Sequence, residues 1–371
     1  MSGAVGKRWR AGVLGATGVV GQRLLHLLDG HPWFDVTEVA ASERSAGKTY
    51  AEAAQWRLEA PIPVAVRDLP VRGVEASLDC DFVFSALDST VAGPVEEEFA
   101  RAGYPVVSNC SNHRMDADVP LVIPEVNAGH LAILPEQQRR RGYSGGFLVT
   151  NPNCSTAGLV LALKPLEDAF GIENIFVVTL QAVSGAGYPG VASLDILDNV
   201  IPFIAGEEEK LEREPRKLLG RLEAVSFVPA AMRFSAQCNR VPVLDGHLEC
   251  VSAKLRRKAS PDEVRDVLRS FTAPLEVRAL PSALEHPIVV FDDPDRPQPR
   301  LDRDAGRGMA AVVGRIRPCP LLDVKFTLLS HNLVRGAAGA ALLNAELLAA
   351  QGWLERAGRA RKGKANTLAP R

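Results

Sequence analysis

Residues 8–28 restrict the start of this chain more than any other stretch does. Arg8 to Leu14 is apolar enough for a short strand, Gly15-Ala-Thr-Gly-Val-Val-Gly21 follows at once, and Gln22 to Leu28 reads as a helix. Leu24, Leu25, Leu27 and Leu28 give that helix a face to lay on a sheet. Glycines at 15, 18 and 21 permit a tight turn, close approach of backbone to an anion, and close packing of helix on strand. The helix N-terminus itself is an anion site. Strand, glycine turn and helix in this order predict dinucleotide binding, with Gly15, Ala16, Thr17, Gly18, Val19 and Val20 as the contact positions.

Further short apolar runs follow at Thr37–Ala41, Asp81–Asp88, Pro105–Asn109, Leu121–Pro124 and Phe147–Thr150, with a helix through Val95, Phe99 and Ala102 after the second. Strands alternating with helices predict a doubly wound, Rossmann-type α/β domain. The Thr37–Ala41 strand ends in Ser42-Glu-Arg-Ser-Ala-Gly-Lys48. An acidic residue there holds a ribose 2′-hydroxyl, and an arginine meets a 2′-phosphate. Glu43 and Arg44 stand side by side; Ser42, Arg44, Ser45 and Lys48 together favour NADP, and a plain solvated loop is the competing reading.

At 371 residues the chain suits two domains, expected at 1–150 and 151–335. Asn174–Ala182, His247–Leu255, Met309–Ile316 and Asp323–Leu329 are β-rich with partial alternation, which predicts an α+β second domain with a mixed sheet. Gln137–Gly146, with Arg139-Arg-Arg141, reads as an exposed turn. Val191–Leu219 reads as mostly helical, broken at Pro202 and Gly206, with Glu207-Glu-Glu-Lys210 as a solvated face. A long helix is expected from Ala340 to about Ala357, then a frayed basic tail over 358–371. The net charge of −1 gives no field for nucleic acid or anionic membrane, and no apolar run reaches the roughly 18 residues of a membrane span. Met1–Arg10 lacks the apolar core of a signal peptide. Six scattered cysteines without metal-ligand spacing read as free thiols in a reducing compartment, so the expected location is the cytoplasm.

Chemistry concentrates at Phe147-Leu-Val-Thr-Asn-Pro-Asn-Cys-Ser-Thr-Ala-Gly158. Asn151-Pro152 ends a strand, and Leu159, Leu163 and Leu166 resume with helical spacing, so Cys154 falls at a helix start. Unpaired N–H groups and the positive dipole end favour a thiolate there; the plain alternative is a buried structural cysteine. A reactive cysteine wants an imidazole as acid and base, and His247 opens a predicted strand after Asn239-Arg240-Val-Pro-Val-Leu-Asp-Gly246. Arg114, in the polar loop Ser108–Arg114, is either an anion binder or a surface ion-pair residue.

These motifs, with Arg114-Met-Asp-Ala-Asp-Val-Pro-Leu-Val-Ile-Pro-Glu-Val-Asn127 and Asn332-Leu-Val-Arg-Gly-Ala-Ala-Gly339, resemble the aspartate-semialdehyde dehydrogenase family over about residues 8–350. Gly206-Glu-Glu-Glu-Lys210 is closer to its archaeal and fungal branch. The resemblance implies reversible, NADPH-dependent reductive dephosphorylation of L-4-aspartyl phosphate to L-aspartate 4-semialdehyde, in biosynthesis of aspartate-family amino acids. It implies Cys154 as nucleophile, His247 as acid/base, Gln181 orienting the acyl group and Asn153 steadying the site. It further implies Arg240 on the substrate carboxylate, Glu207 on its ammonium, Arg114 and Lys210 on phosphate, and Asn332 near the nicotinamide. The second domain is then catalytic and dimer-forming, a homodimer or homotetramer results, and the last helix returns to the first domain. His331 departs from the Asp or Gly usual before the Asn-Leu-Val-Arg motif. The alternatives are a sister reductase for N-acetylglutamyl phosphate or malonyl-CoA, and a non-catalytic dinucleotide module.

Overall fold

The computed structural model describes residues 7–368, with side chains to Arg361. Its first sheet contains β1 (Trp9–Leu14), β2 (Phe34–Ala40), β3 (Val71–Arg72), β4 (Phe82–Ser85), β5 (Pro105–Ser108) and β6 (Phe147–Thr150). They run parallel in the order β3-β2-β1-β4-β5-β6, so the chain reverses its direction of winding beside β1. Ligands bind at such a reversal, outside the carboxyl ends of the strands. The expected strand at Leu121–Pro124 is absent. Leu121 makes one bridge to Thr150, and Pro124 opens a short helix, because Pro120 and Pro124 bracket the run and neither can donate to a ladder.

Apart from a separate small hairpin of β8 (Arg221–Glu223) and β9 (Ser226–Val228), the strands after β6 form a second sheet, which starts at β7 (Ile172–Gln181). Its other strands are β10 (Arg233–Arg240), β11 (His247–Leu255), β12 (Ile288–Val290), β13 (Ala311–Pro318) and β14 (Val324–Ser330). Its order is β10-β7-β11-β14-β13-β12, with β10 parallel to β7 and β11 antiparallel to both β7 and β14. This is the mixed sheet expected from alternation. Helix Cys154–Phe170 joins the two halves. It starts at the carboxyl end of β6 and buries Leu159, Leu163 and Leu166 against Val177, Val251 and Phe326 of the mixed sheet.

After β14 the chain makes a π-turn over Val334–Ala338 and runs on as helix Gly339–Ala350. Apart from Asn344 and Glu346 that helix is apolar all round, and it is buried from Gly339 to Ala349, as such a helix must be. Leu342, Leu347 and Leu348 join Val13, Val107 and Val149 in the first-sheet core. Gln351-Gly352 breaks the expected single helix, and a second one spans Trp353–Leu368. Through Leu368, therefore, the expected frayed tail is helical; residues 369–371 lie outside the described range. Leu354 and Ala357 anchor it on the core, and Arg361 covers the Tyr104 ring and donates to the Cys80 carbonyl at 2.6 Å.

Two further expectations change. Arg139–Arg141 ends helix Leu134–Arg141, and Arg141 is drawn inward by Asp116 and Asp118 at 2.8 and 2.6 Å. Val191–Leu219 is broken at Pro202 and Gly206 as expected, but ahead of helix Glu207–Leu218 it holds only one helical turn, Ser193–Ile196.

Candidate active site

Cys154 is the first residue of its helix, half-buried, and Asn153 caps it. The Asn153 side-chain oxygen accepts from the amides of Ser155 (3.0 Å) and Thr156 (3.3 Å), which satisfies two of the helix's free donors. Its side-chain nitrogen donates to both oxygens of Glu207 (3.1 and 2.8 Å), and its backbone N–H to Glu214 (2.6 Å). Glu207 and Glu214 lie two turns apart on one face of helix Glu207–Leu218, with Leu211 and Leu218 between and beyond them. That face is buried, so the acidic run is not the solvated one expected; only its outer positions are.

Glu207 also accepts from Lys210 (2.7 Å) and Gln181 (3.2 Å). Burial opposes charge on Glu207, but the Lys210 ammonium and the two amides outweigh it and hold its carboxyl below the usual carboxylate value. Cys154 Sγ lies 3.2 Å from Nε2 of His247, which is fully buried at the start of β11. Burial, then the nearby Glu207 charge, push the thiol up to about 12, against the pull of Arg114, Arg240 and Lys210. Burial and the Arg240 guanidinium push His247 down to about 3.

Arg240 ends β10 and donates to the Ala182 carbonyl at 2.7 Å. Gln181, its register partner, ends β7, so Arg240 and His247 flank β7 rather than adjoining one another. Arg114 reaches the same region from the first domain. It donates to Glu214 (3.0 Å) and to the Asn109 carbonyl (2.7 Å), and its Nε has no partner among the described residues. Lys217 fixes that loop by donating to the carbonyls of Arg114, Asp116 and Val119 at 2.7–2.8 Å. Asn332 bridges Gly246 N–H and the Ser184 hydroxyl, both at 2.8 Å. Gly336 lies against Cys154: a Cβ added there would come 2.7 Å from Cys154 Cβ.

Two adjoining clefts of about 680 and 600 Å³ flank the glycine turn. Gly15, Thr17, Gly18, Val19, Ser42, Arg44 and Ser45 line them. Ala16 instead lies in the core, its carbonyl taken by Tyr50, and Val20 packs against the same core. Gln22, Lys48, Gln55, Arg57 and Tyr188 complete the larger cleft. Arg57 sits 4.0 Å above the Tyr188 ring and so joins the first domain to the glycine-rich loop of the second. Gly15 has φ +74°, and a Cβ there would lie on the Ala86 carbonyl; the turn is built for glycine. The first-turn amides of Val19 and Val20 have no intrahelical acceptor, which leaves them for an anion.

Residues 10–134 match the family model described as semialdehyde dehydrogenase, NAD binding domain, and residues 163–335 match semialdehyde dehydrogenase, dimerisation domain. The chain is 51% identical over 342 residues to aspartate-semialdehyde dehydrogenase of Archaeoglobus fulgidus, covering 92% of this chain and 98% of that one. The crystal structure of the Candida albicans aspartate semialdehyde dehydrogenase with NADP superposes at TM-score 0.86 and 46% identity, covering 94% and 100% of the two chains. That of aspartate semialdehyde dehydrogenase II from Vibrio cholerae, complexed with ASA, superposes at 0.74 and 28%, covering 92% and 98%.

Proposed function

The chain belongs to the aspartate-semialdehyde dehydrogenase family, and from that premise we propose how its own residues carry the reaction. The activity is the reversible NADPH-dependent conversion of L-4-aspartyl phosphate to L-aspartate 4-semialdehyde and phosphate, in aspartate-family amino-acid biosynthesis. The observation that carries the site reading is the pair of Cys154 Sγ and His247 Nε2, 3.2 Å apart at a capped helix N-terminus.

The Cys154 thiolate attacks the acyl carbon of the acyl phosphate, the carbon–oxygen bond to phosphate breaks, and phosphate leaves a thioester behind. Bound NADPH supplies the hydride that takes the thioester to the aldehyde level. Cys154 then leaves as thiolate, because sulfur is both a good nucleophile and a good leaving group. Arg240 grips the substrate carboxylate, Glu207 its ammonium, and Gln181 orients the acyl group. Arg114 and Lys210 receive phosphate, and Asn153 holds the helix cap beneath the sulfur. The glycine-turn clefts fit NADP, since they combine free helix amides with Arg44, Lys48 and Arg57. Among the predicted contacts, Thr17, Gly18, Val19, Ser42, Arg44 and Ser45 hold it, with Asn332 toward the nicotinamide.

We assign residues 1–150 with the C-terminal helices to cofactor binding, and 151–335 to catalysis and assembly as a homodimer or homotetramer. No described helix is long and apolar enough to cross a membrane, and the cytoplasm is the proposed location. The test is phosphate-dependent NADP reduction with aspartate semialdehyde, set against N-acetylglutamate semialdehyde and the CoA-dependent reaction of malonate semialdehyde. Preference for either of the latter would replace the substrate assignment.

A further inference from the structure

The loop that carries Arg114, residues 109–119, is built of turns and bends, so no regular ladder of hydrogen bonds sets its shape. Two buried cations hold it instead, one from each domain. Toward helix Ser89–Arg101 of its own domain, His113 turns Nδ1 to Asp116 (2.9 Å) and Nε2 to the Gly93 carbonyl (3.3 Å). From the second domain comes Lys217, in the last turn of helix Glu207–Leu218 and 5% exposed. Its ammonium donates to the carbonyls of Arg114, Asp116 and Val119 at 2.8, 2.8 and 2.7 Å, which uses all three of its protons. The Phe227 ring covers it from 4.6 Å. We propose that Lys217 is a positioning residue for the reaction: its ammonium binds the Arg114 loop to the helix that carries Glu207 and Lys210, and phosphate is gripped only while that ammonium keeps its proton. The proposal rests on the reading of Arg114 as a phosphate residue and deepens it.

One helix holds Arg114 at both ends. Glu214 takes the guanidinium at 3.0 Å, and Lys217, one helical turn further on, takes the Arg114 carbonyl. The need for this follows from where the residues lie. Arg114 belongs to the first domain, whereas the Cys154 helix and Lys210 belong to the second. A phosphate shared by Arg114 and Lys210 is therefore held from both domains, and a misplacement of about 1 Å between them can cost about a hundredfold. Lys217 removes that freedom by tying the loop backbone to the helix of Lys210.

The charge matters because the count of donors matters. A neutral amine has two N–H groups and a lone pair to offer the same three carbonyls. One carbonyl then loses its donor in a buried place and the lone pair faces oxygen, so the loop shifts. Burial is the largest influence on Lys217 and brings it down to about 8, against the pull of Asp116, Asp118 and Glu214; Arg141 adds to the lowering. The proton is present below about pH 8 and lost above it, and the grip on phosphate goes with it.

Sulfate is the probe, since it keeps one charge through this range and phosphate does not. As an inhibitor competing with phosphate, sulfate should weaken in the parent as pH rises from about 7 to about 9. Lys217→Met should bind sulfate about ten- to a hundredfold more weakly than the parent at about pH 7, and show no step. Lys217→Arg is charged at every pH and should also show no step. The phosphate KM of Lys217→Met should rise with the sulfate constant, while its semialdehyde KM and NADPH burst stay within about twofold of the parent. A purely structural lysine would lower stability and leave the sulfate profile as in the parent. A step that persists in Lys217→Met belongs to another group, His113 first among them, and overturns the proposal. Hydrogen exchange in the parent needs no variant: corrected for the intrinsic effect of pH, the amides of 109–119 should exchange faster above about pH 8, and an unchanged rate overturns the proposal too. Arg114→Ala separates the two readings. A parent-like phosphate KM there sinks the role of Arg114 and with it the link to Lys217, whereas a raised KM there with a parent-like KM in Lys217→Met sinks Lys217 alone.

Discussion

Arg114 and Glu214 form a buried ion pair at 3.0 Å across the cleft between the two domains, their side chains 9% and 2% exposed. The other oxygen of Glu214 accepts the backbone N–H of Asn153 at 2.6 Å. The proposed phosphate arginine is thus two hydrogen bonds from the cap of the Cys154 helix. Its Nε remains for an incoming anion.

This coupling decides what Arg114→Ala should do. Besides raising the KM for phosphate, it leaves Glu214 buried without its ion-pair partner, held only by the Asn153 N–H, which should destabilise the fold by about 3–5 kcal/mol. Arg114→Met with Glu214→Gln removes both charges and should recover most of that stability, but not phosphate affinity. Urea unfolding and phosphate kinetics on the single and double variants separate the two effects. If the double variant is no more stable than the single one, the ion pair does not set the cost.

Thiol labelling gives a second prediction. Cys250 is exposed, and Cys319 is half-buried with its thiol held below the usual value by the Leu321 and Leu322 amides, against the effect of burial. Both should therefore react with iodoacetamide at least as readily as resting Cys154, whose thiol is pushed up. Activity should follow modification of Cys154 alone, as peptide mass spectrometry at partial inactivation will read. Cys154→Ala should abolish turnover and leave NADPH binding intact. Inactivation that tracks Cys250 or Cys319 would mean the nucleophile is misassigned.

Arg44 and Arg57 line the same cleft, but the structure gives them different company. Arg44 follows β2, where a 2′-phosphate is met, and Arg57 lies over Tyr188 of the opposite domain. Arg44→Ala should weaken NADP binding by about 1.5–3 kcal/mol, the value of a hydrogen bond to a charged group, and leave NAD binding nearly unchanged. Arg57→Ala should weaken both cofactors, since it loosens the contact across the cleft. Calorimetric titration with each cofactor distinguishes them, and equal losses of NADP and NAD in Arg44→Ala would make that arginine structural.

What could be read from sequence was what is local or periodic. The glycine turn, the parallel strands and the helix start at Cys154 each lie within one short stretch. The small residues at 336–341 suit tight packing, and Gly336 lies against Cys154. Ala182, whose N–H donates to Nδ1 of His247, could not be found this way, because no residue type announces a backbone N–H. Arg57 and Tyr188 meet only once the two domains are placed. Glu214 did leave a trace: Glu207, Leu211, Glu214 and Leu218 keep the spacing of one helix face, which marks both acids as buried. The acidic composition of the run hid that spacing, as the basic composition of Arg139–Arg141 hid the inward turn of Arg141.

Glu249 carries the last prediction. It lies on β11 opposite Thr179 and Leu328, is fully buried, and neither carboxyl oxygen has a partner among the described residues. Burial raises its carboxyl well above the ordinary value, so the folded protein holds it protonated where the unfolded chain has lost the proton. The unfolded carboxyl ionises near about 4.3. The folded state therefore binds more protons above that pH, and the stability Glu249 contributes is complete below it and falls as pH rises toward the folded value. Glu249→Gln has nearly the same shape and no charge at any pH, so it lacks this slope. Its stability relative to the parent should be pH-independent below about pH 4 and should then increase toward pH 8, by at most about 1.4 kcal/mol per pH unit. Urea unfolding of both proteins across that range makes the comparison. Parallel pH profiles would mean that the carboxyl ionises in the fold as readily as out of it, and that the orphaned oxygens have found a partner such as buried water.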